Sequence, residues 1–245
     1  MESLDSLKRK IESQIDRYFS GHVILFPFLD ENNSAFLENI CKANKVNYYK
    51  SGKIINSDRN RYLLTNYDYK EDDFKINVYE IIYNKKYYEI NHRNILGSLM
   101  GLGIKREAIG DIIIDDNKNA YFACTEEISK FIENEFKFIG KAPIELKLYE
   151  DILENVIKYD SKEYIISSLR IDCVIANLYN ISRNEAQEKI IESSVQINHV
   201  VNQNTSYVLK EGDIVSLRGK GKFRVGMING KTRSDRIKVI LEKRV

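Results

Sequence analysis

The sequence predicts an α+β protein of three small units: an α/β unit over 1–73, a β-α-β-β-α-β unit over 74–162, and a unit over 163–245 made of two short helices and a tightly turned β segment. Three patterns lead there. Apolar residues recur at helical spacing near the N-terminus. Strand and helix patterns then alternate in a readable order between 76 and 149. Finally, Ile171, Val174, Ile175 and Leu178 take the i, i+3, i+4, i+7 positions of one buried helix face.

In the first unit, residues 2–19 read as an amphipathic helix with Leu4, Leu7, Ile11, Ile15 and Tyr18/Phe19 on one side. Residues 23–28 read as a buried strand or extended segment ended by Pro27 and Asp30. A second helix over 34–44 turns Phe36, Leu37 and Ile40 inward, and strands follow at 46–50 and 62–66. The run Ser-Asp-Arg-Asn-Arg at 57–61 reads as a solvated loop in which Arg59 and Arg61 are cations within reach of nucleic acid. Asp-Tyr-Lys-Glu-Asp-Asp at 68–73 marks the boundary.

The middle unit reads as strand 76–83, helix 92–102, strands 111–115 and 119–124, helix 126–136 and strand 144–149. Asp116-Asn117 turns between two strands, Thr125 caps a helix, and Pro143 precedes the last strand. That order is the ferredoxin-like, or RRM-like, arrangement. The third strand, 119–124, lacks the Lys/Arg-Gly-Phe/Tyr pattern of an RNA-stacking sheet face. Tyr121 and Phe122 point to opposite faces, so at most one meets a base. Gly101-x-Gly103 is not a dinucleotide fingerprint, because Arg106 stands at the third glycine position. Gly103 suits a helix C-cap, and Lys105-Arg106 on the turn beside it are secondary candidates for RNA contact.

In the last unit Ser182 opens the second helix, with Glu185 completing a capping box and Ala186, Ile190 and Ile191 forming a narrow apolar seam. Val-Gln-Ile-Asn follows at 195–198, Glu-Gly-Asp-Ile-Val at 211–215 and Arg-Gly-Lys-Gly-Lys at 218–222. Asn229-Gly230 suggests a hairpin turn, lined or flanked by Lys231, Arg233, Arg236, Lys238, Lys243 and Arg244. Arg170 and Arg183 each fall in the first turn of a helix, where a cation opposes the dipole by about 0.3–1 kcal/mol. Two helix starts that each carry an arginine suit a phosphate, since free N–H groups, dipole and guanidinium all favour an anion.

Four separated blocks, Leu169-Arg170-Ile171-Asp172, Ser182-Arg183-x-x-Ala186, Val195-x-Ile197-Asn198 and Gly212-Asp213-Ile214-Val215, resemble the S4 RNA-binding domain over about a third of the chain. Ser194 and His199 replace glycines usual there. The resemblance implies binding of structured RNA through the face carrying the two helix starts. Arg170 and Arg183 are the foremost contacts, Ser182 lies beside them, and Lys189, Arg218, Lys220 and Lys222 widen the footprint. Together with the run Gly101-Leu-Gly-Ile-Lys-Arg-Glu-x-Ile-Gly-Asp111-Ile, the chain resembles the bacterial YlmH group, which has an N-terminal domain, an RRM-like middle domain and a C-terminal S4 domain. Lys50-Ser51-Gly52 and Asp58-Arg59-Asn60-Arg61 follow that group's Gly-Gly and Ala-Glu-Arg pattern only loosely. The group resemblance implies ribosomal RNA of the large subunit as partner, tRNA as a further contact, and a role in rescuing stalled nascent chains.

Composition agrees with a polyanion partner. Net charge over 245 residues is only +2, but 165–245 carries +6 and 1–164 carries −4. Cys41, Cys124 and Cys173 lack the spacing of a disulfide framework or a zinc site. The N-terminus lacks a signal-peptide layout, and no run reaches the roughly 18 apolar residues of a membrane span. The expectation is a cytoplasmic monomer that binds RNA, with no membrane or DNA partner. His22, His92 and His199 lie far apart, and no phosphate-binding loop, Gly-x-Ser-x-Gly or Cys-x-x-Cys is present, so no metal, cofactor or catalytic residue is expected. Two alternatives stay open. One is an S4-containing RNA-modifying enzyme with its site in 1–150; Arg170-Ile171-Asp172 superficially matches a pseudouridine synthase motif but already belongs to the S4-like helix, where Asp172 in the first turn suits the dipole. The other is a protein-interaction scaffold linked to cell division.

Overall fold

The computed structural model describes residues 4–198 and 200–244; His199, the side chains of residues 4–8, Leu4 and Leu7 among them, and that of Arg244 lie outside the described residues. The chain forms two compact units, Met1–Asn155 and Val156–Val245.

The first unit opens with α1 (Leu4–Phe19), β1 (Ile24–Leu25), α2 (Glu31–Ala43), β2 (Tyr48–Ser51) and β3 (Arg61–Leu64). The three strands pair antiparallel in the order β1-β3-β2. Ile11, Ile15, Leu37, Cys41, Tyr62 and Leu64 make their core with the helices. The strand expected over 23–28 shrinks to two residues. Asp30 does not merely end it: its carboxylate accepts the N–H of Asn33 at 2.9 Å, which starts α2 three residues before the expected Ser34. Phe19, expected inward, is exposed.

Next come β4 (Ile76–Tyr83), α3 (His92–Gly101), β5 (Ile109–Ile114), β6 (Ala120–Thr125), α4 (Glu126–Glu135), β7 (Phe138–Ile139) and β8 (Ala142–Leu148). They form an antiparallel sheet in the order β5-β6-β4-β8-β7, so the β-α-β-β-α-β sequence is present with β7 as a short addition. One face carries Tyr79, Ile81 and Phe122 against Ile95 and Leu99 of α3 and Ile132 of α4. On the other face, Ile76, Val78 and Ala123 pack on Phe28, Ile54 and Leu63 of the preceding segment. That is the face an RRM-type domain offers to RNA, and here part of it is core. Tyr121 is also buried, its ring edge-on to Tyr149 at 4.9 Å. The sequence division at 73/74 therefore falls inside one unit.

The joint between the two sheets corrects the reading of 57–61 as a solvated loop. Arg61 is buried, its Nε donating to the Phe26 carbonyl at 3.1 Å and its Nη1 to that of Lys75 at 3.0 Å. Arg59 donates to the carbonyls of Ile109 and Phe28. The Asp111 carboxylate accepts the N–H groups of Asp58 at 2.7 Å and Arg59 at 3.0 Å. Burial pushes the Asp111 carboxyl up to about 6, against those donors and the Arg59 charge. Gly110 is needed there, because a Cβ would come 2.7 Å from the Phe28 ring.

The second unit holds β9 (Tyr159–Ile166), α5 (Ile171–Tyr179), α6 (Arg183–Ile191), β10 (Val195–Ile197), β11 (Val200–Val201), β12 (Ile214–Leu217), β13 (Gly221–Lys231) and β14 (Ile237–Arg244). The sheet order is β11-β10-β12-β13-β14-β9. Ile171, Val174, Ile175, Ala186 and Ile190 pack on Val215, Leu217, Phe223, Val225, Val239 and Leu241. Ile191, expected in the seam, is 60% exposed. The sequence division at 162/163 falls inside β9, which pairs with β14 from Tyr159↔Arg244 to Ile166↔Ile237. The hairpin turns at Thr232–Asp235, with Thr232 N–H donating to the Arg236 carbonyl at 2.7 Å, and not at Asn229-Gly230. Those two residues lie in β13 beside a register shift, where Gly230 takes φ +79°. Among the described residues, no helix is long and apolar enough to cross a membrane.

Candidate nucleic-acid interface

Asp172 organises the two helix starts. Its side chain is 0% exposed and lies between Arg170, 34% exposed, and Arg183, 52% exposed. Arg170 donates to it from Nε at 3.2 Å and Nη2 at 3.0 Å; Arg183 does so from Nε at 3.0 Å and Nη2 at 3.3 Å. Gln187, one turn into α6, adds a bond from Nε2 at 2.8 Å. Burial alone would raise the Asp172 carboxyl, but the hydrogen bonds from Arg170, Gln187 and Arg183 outweigh it and hold the group well below the usual carboxylate range. The arginines thus do not sit uncompensated against two helix dipoles. One carboxylate holds both forks in fixed planes, and the cluster keeps a net charge of +1.

The local sequence sets this geometry. Arg170 is the N-cap of α5, with φ −59° and ψ 137°, and Arg183 is the first residue of α6. Ser182 caps α6 by accepting the N–H of Glu185 at 3.1 Å. The expected capping box is only half made: the Glu185 carboxylate meets Lys189 at 3.6 Å. The 207–209 segment braces the first start, with Ile171 N–H on the Tyr207 carbonyl and Leu209 N–H on that of Leu169.

The structure brings Arg170, Ser182 and Arg183 together and separates them from the other candidates in this unit. Leu217 pairs with Gly221, so Arg218 and Lys220 sit at the end of the sheet where β13 begins and β14 ends, and Lys222 opposite Ser216 is beside them. Arg218 N–H bonds to Ser194, just past α6, and Lys189 is in the last turn of that helix. Along the helix axis Lys189 therefore stands about 9 Å from Arg183, and the Arg218 backbone, bonded beyond the end of this nine-residue helix, about 14 Å or more. Lys105 and Arg106 belong to the first unit. Lys105 is exposed, but Arg106 is half-buried, its Nη1 donating to the carbonyls of Ile109 at 2.6 Å and Gly110 at 3.2 Å. Sequence reasoning gave Asp172 only a dipole role and passed over Gln187. Among the described residues, no three His, Cys, Asp or Glu side chains gather as a metal-binding group.

Known proteins place this architecture. The family profile described as "Putative RNA-binding domain in YlmH" matches residues 69–151. The chain is 29% identical over 224 residues to "Ribosome-associated protein quality control protein P2" of Bacillus subtilis (strain 168), covering 89% of this chain and 86% of that protein. Among solved structures it is similar to "Cell division protein ylmH from Streptococcus pneumoniae", with a TM-score of 0.52 and 26% identity over 60% of this chain and 93% of that one. By family profile, relative and solved structure alike, the chain is similar to YlmH proteins.

Proposed function

We propose that the chain is a non-enzymatic, cytoplasmic RNA-binding protein that docks as a monomer on ribosomal RNA of the large subunit, with tRNA as a further contact, and serves quality control of stalled nascent chains. The observation that carries the reading is the buried Asp172 holding Arg170 and Arg183 side by side at two helix N-termini. Each guanidinium keeps an outer edge exposed for a bidentate phosphate contact, and the helix N–H groups add to the same field. The S4-like sequence blocks coincide with these elements. The name of the Bacillus subtilis relative supports the ribosomal setting. The YlmH profile over 69–151 supports RNA as partner for the first unit too. In this reading the three sequence-defined units, 1–73, 74–162 and 163–245, act as N-terminal, middle and S4-type modules.

The test is co-sedimentation of wild type and the Arg170→Ala/Arg183→Ala variant with separated ribosomal subunits at about 50 and about 200 mM salt. The expected result is salt-sensitive binding of the wild type to the large subunit, reduced at least tenfold in the variant. Equal binding by both proteins would remove the arginine pair from the function.

A further inference from the structure

The register of the second sheet puts a basic element beside the arginine pair that the chain order hides. Ile166, the last residue of β9, pairs with Ile237, the first of β14. Arg170 follows Ile166 by four residues, and Arg236 precedes Ile237 by one. Along that path the Arg170 and Arg236 backbones lie at most about 24 Å apart, before either long side chain reaches out. The tip of the β13–β14 hairpin therefore shares its end of the sheet with Arg170, whereas Arg218 and Lys220 occupy the opposite end.

The tip is built to present charge. Residues 231–238 carry four cations and one anion. The anion, Asp235, is taken by Lys231 at 2.7 Å. The turn is closed by Thr232 N–H on the Arg236 carbonyl, Asp235 N–H on the Thr232 carbonyl at 3.0 Å, and Arg236 N–H on Thr232 Oγ1 at 3.2 Å. None of these bonds uses the side chains of Arg233, Arg236 or Lys238. Among the described residues, those three side chains have no hydrogen bond, ion pair or ring contact, and both arginines are exposed. The hairpin is also braced at its bulge, where Glu211 accepts the Ile228 N–H at 2.6 Å. Glu211 lies two residues beyond Leu209, which bonds to Leu169 beside the arginine site.

We infer that the hairpin tip is a second phosphate-binding arm: Arg233, Arg236 and Lys238 grip a stretch of RNA backbone next to the one held by Arg170 and Arg183, so that one RNA helix is held at two points. The inference rests on the RNA-binding reading above. It assigns the flanking contact to the tip and not to the 218–222 turn. Two rigid contact points also fix the direction of the RNA across this unit, which a single point cannot do.

The test uses the full chain and a labelled RNA hairpin of about 20 base pairs, titrated across salt. Arg233→Ala/Arg236→Ala should bind about tenfold more weakly at low salt. The slope of log affinity against log salt should become shallower by about 1.8, or about 0.9 per lost phosphate contact. Arg233→Lys/Arg236→Lys should keep most of the slope, and thermal melting should be unchanged in both variants. Wild-type affinity and slope in the alanine variant, while Arg170→Ala/Arg183→Ala weakens binding, would overturn the second arm and leave the RNA-binding reading standing. Equal loss in the lysine and alanine variants would assign the tip a shape role and overturn the phosphate contact. No binding by the wild type would remove both.

Discussion

Asp172→Asn is expected to weaken RNA binding even though it adds one positive charge to the second unit. Simple electrostatics predicts the opposite, since a more cationic surface gains affinity and a steeper salt dependence. The geometry decides for weakening. Asp172 receives four guanidinium hydrogen bonds and one from Gln187. With an amide in its place, at least one fork loses its partner, and both arginines regain rotamer freedom worth up to about 2 kcal/mol each. Binding about tenfold weaker than wild type at low salt is the expected outcome, and tighter binding would end the idea of a pre-set clamp. The same change removes a buried, paired charge. Because both arginines are partly exposed and can turn to water, the stability cost belongs at about 2–3 kcal/mol, below the range for fully buried pairs. Its pH dependence is also set. A carboxyl held low in the folded state stabilises fully above its unfolded pKa of about 3.9, and that stability is lost as pH falls toward the folded value. Chemical denaturation of wild type and variant should therefore differ by the full amount above about pH 5, and the difference should begin to shrink only below about pH 4, as pH falls toward the folded-state value.

Legibility from sequence followed the kind of signal each element carries. α5 was readable because Ile171, Val174 and Ile175 face one core, all fully buried. β4 was readable to the residue because strand propensity and both flanking breaks agree over Ile76–Tyr83. β9 was not, because most of this edge strand is exposed, and Tyr159, Asp160, Ser161, Lys162 and Glu163 show no alternation. Asn229-Gly230 misled because a positive-φ glycine serves a strand irregularity as well as a turn. At the candidate site the two arginines were visible from their places at helix starts. Their joint partner was not, because it depends on α6 returning beside α5. The cations of the hairpin were visible too, but their nearness to Arg170 was not, for the same reason: only the register of β9 on β14 sets Arg236 near Arg170.

Arg61→Ala is expected to destabilise the first unit by about 3 kcal/mol, a fall of about 6–12 °C in melting temperature, while leaving RNA binding by the folded protein unchanged. Arg61 stands at the start of β3, where a polar run had suggested a free cation. Its guanidinium instead donates to the carbonyls of Phe26 and Lys75 and meets Glu127 of α4 at 3.5 Å. Burial lowers its pKa, and Glu127 only partly restores it, so the charge is held at a cost that the hydrogen bonds offset. Truncation strands two carbonyl acceptors and opens a void between the β1-β3-β2 sheet and the sheet behind it. Glu127 loses little, being more than half exposed. Arg61→Met should cost less than alanine, because the methionine keeps most of the packed stem but not the donors. The RNA readout separates two meanings of an arginine in a basic-looking loop. A loss of RNA binding in well-folded Arg61→Met would make this residue a contact. A lowered melting temperature with RNA binding intact places its work between the two sheets, where the geometry puts it.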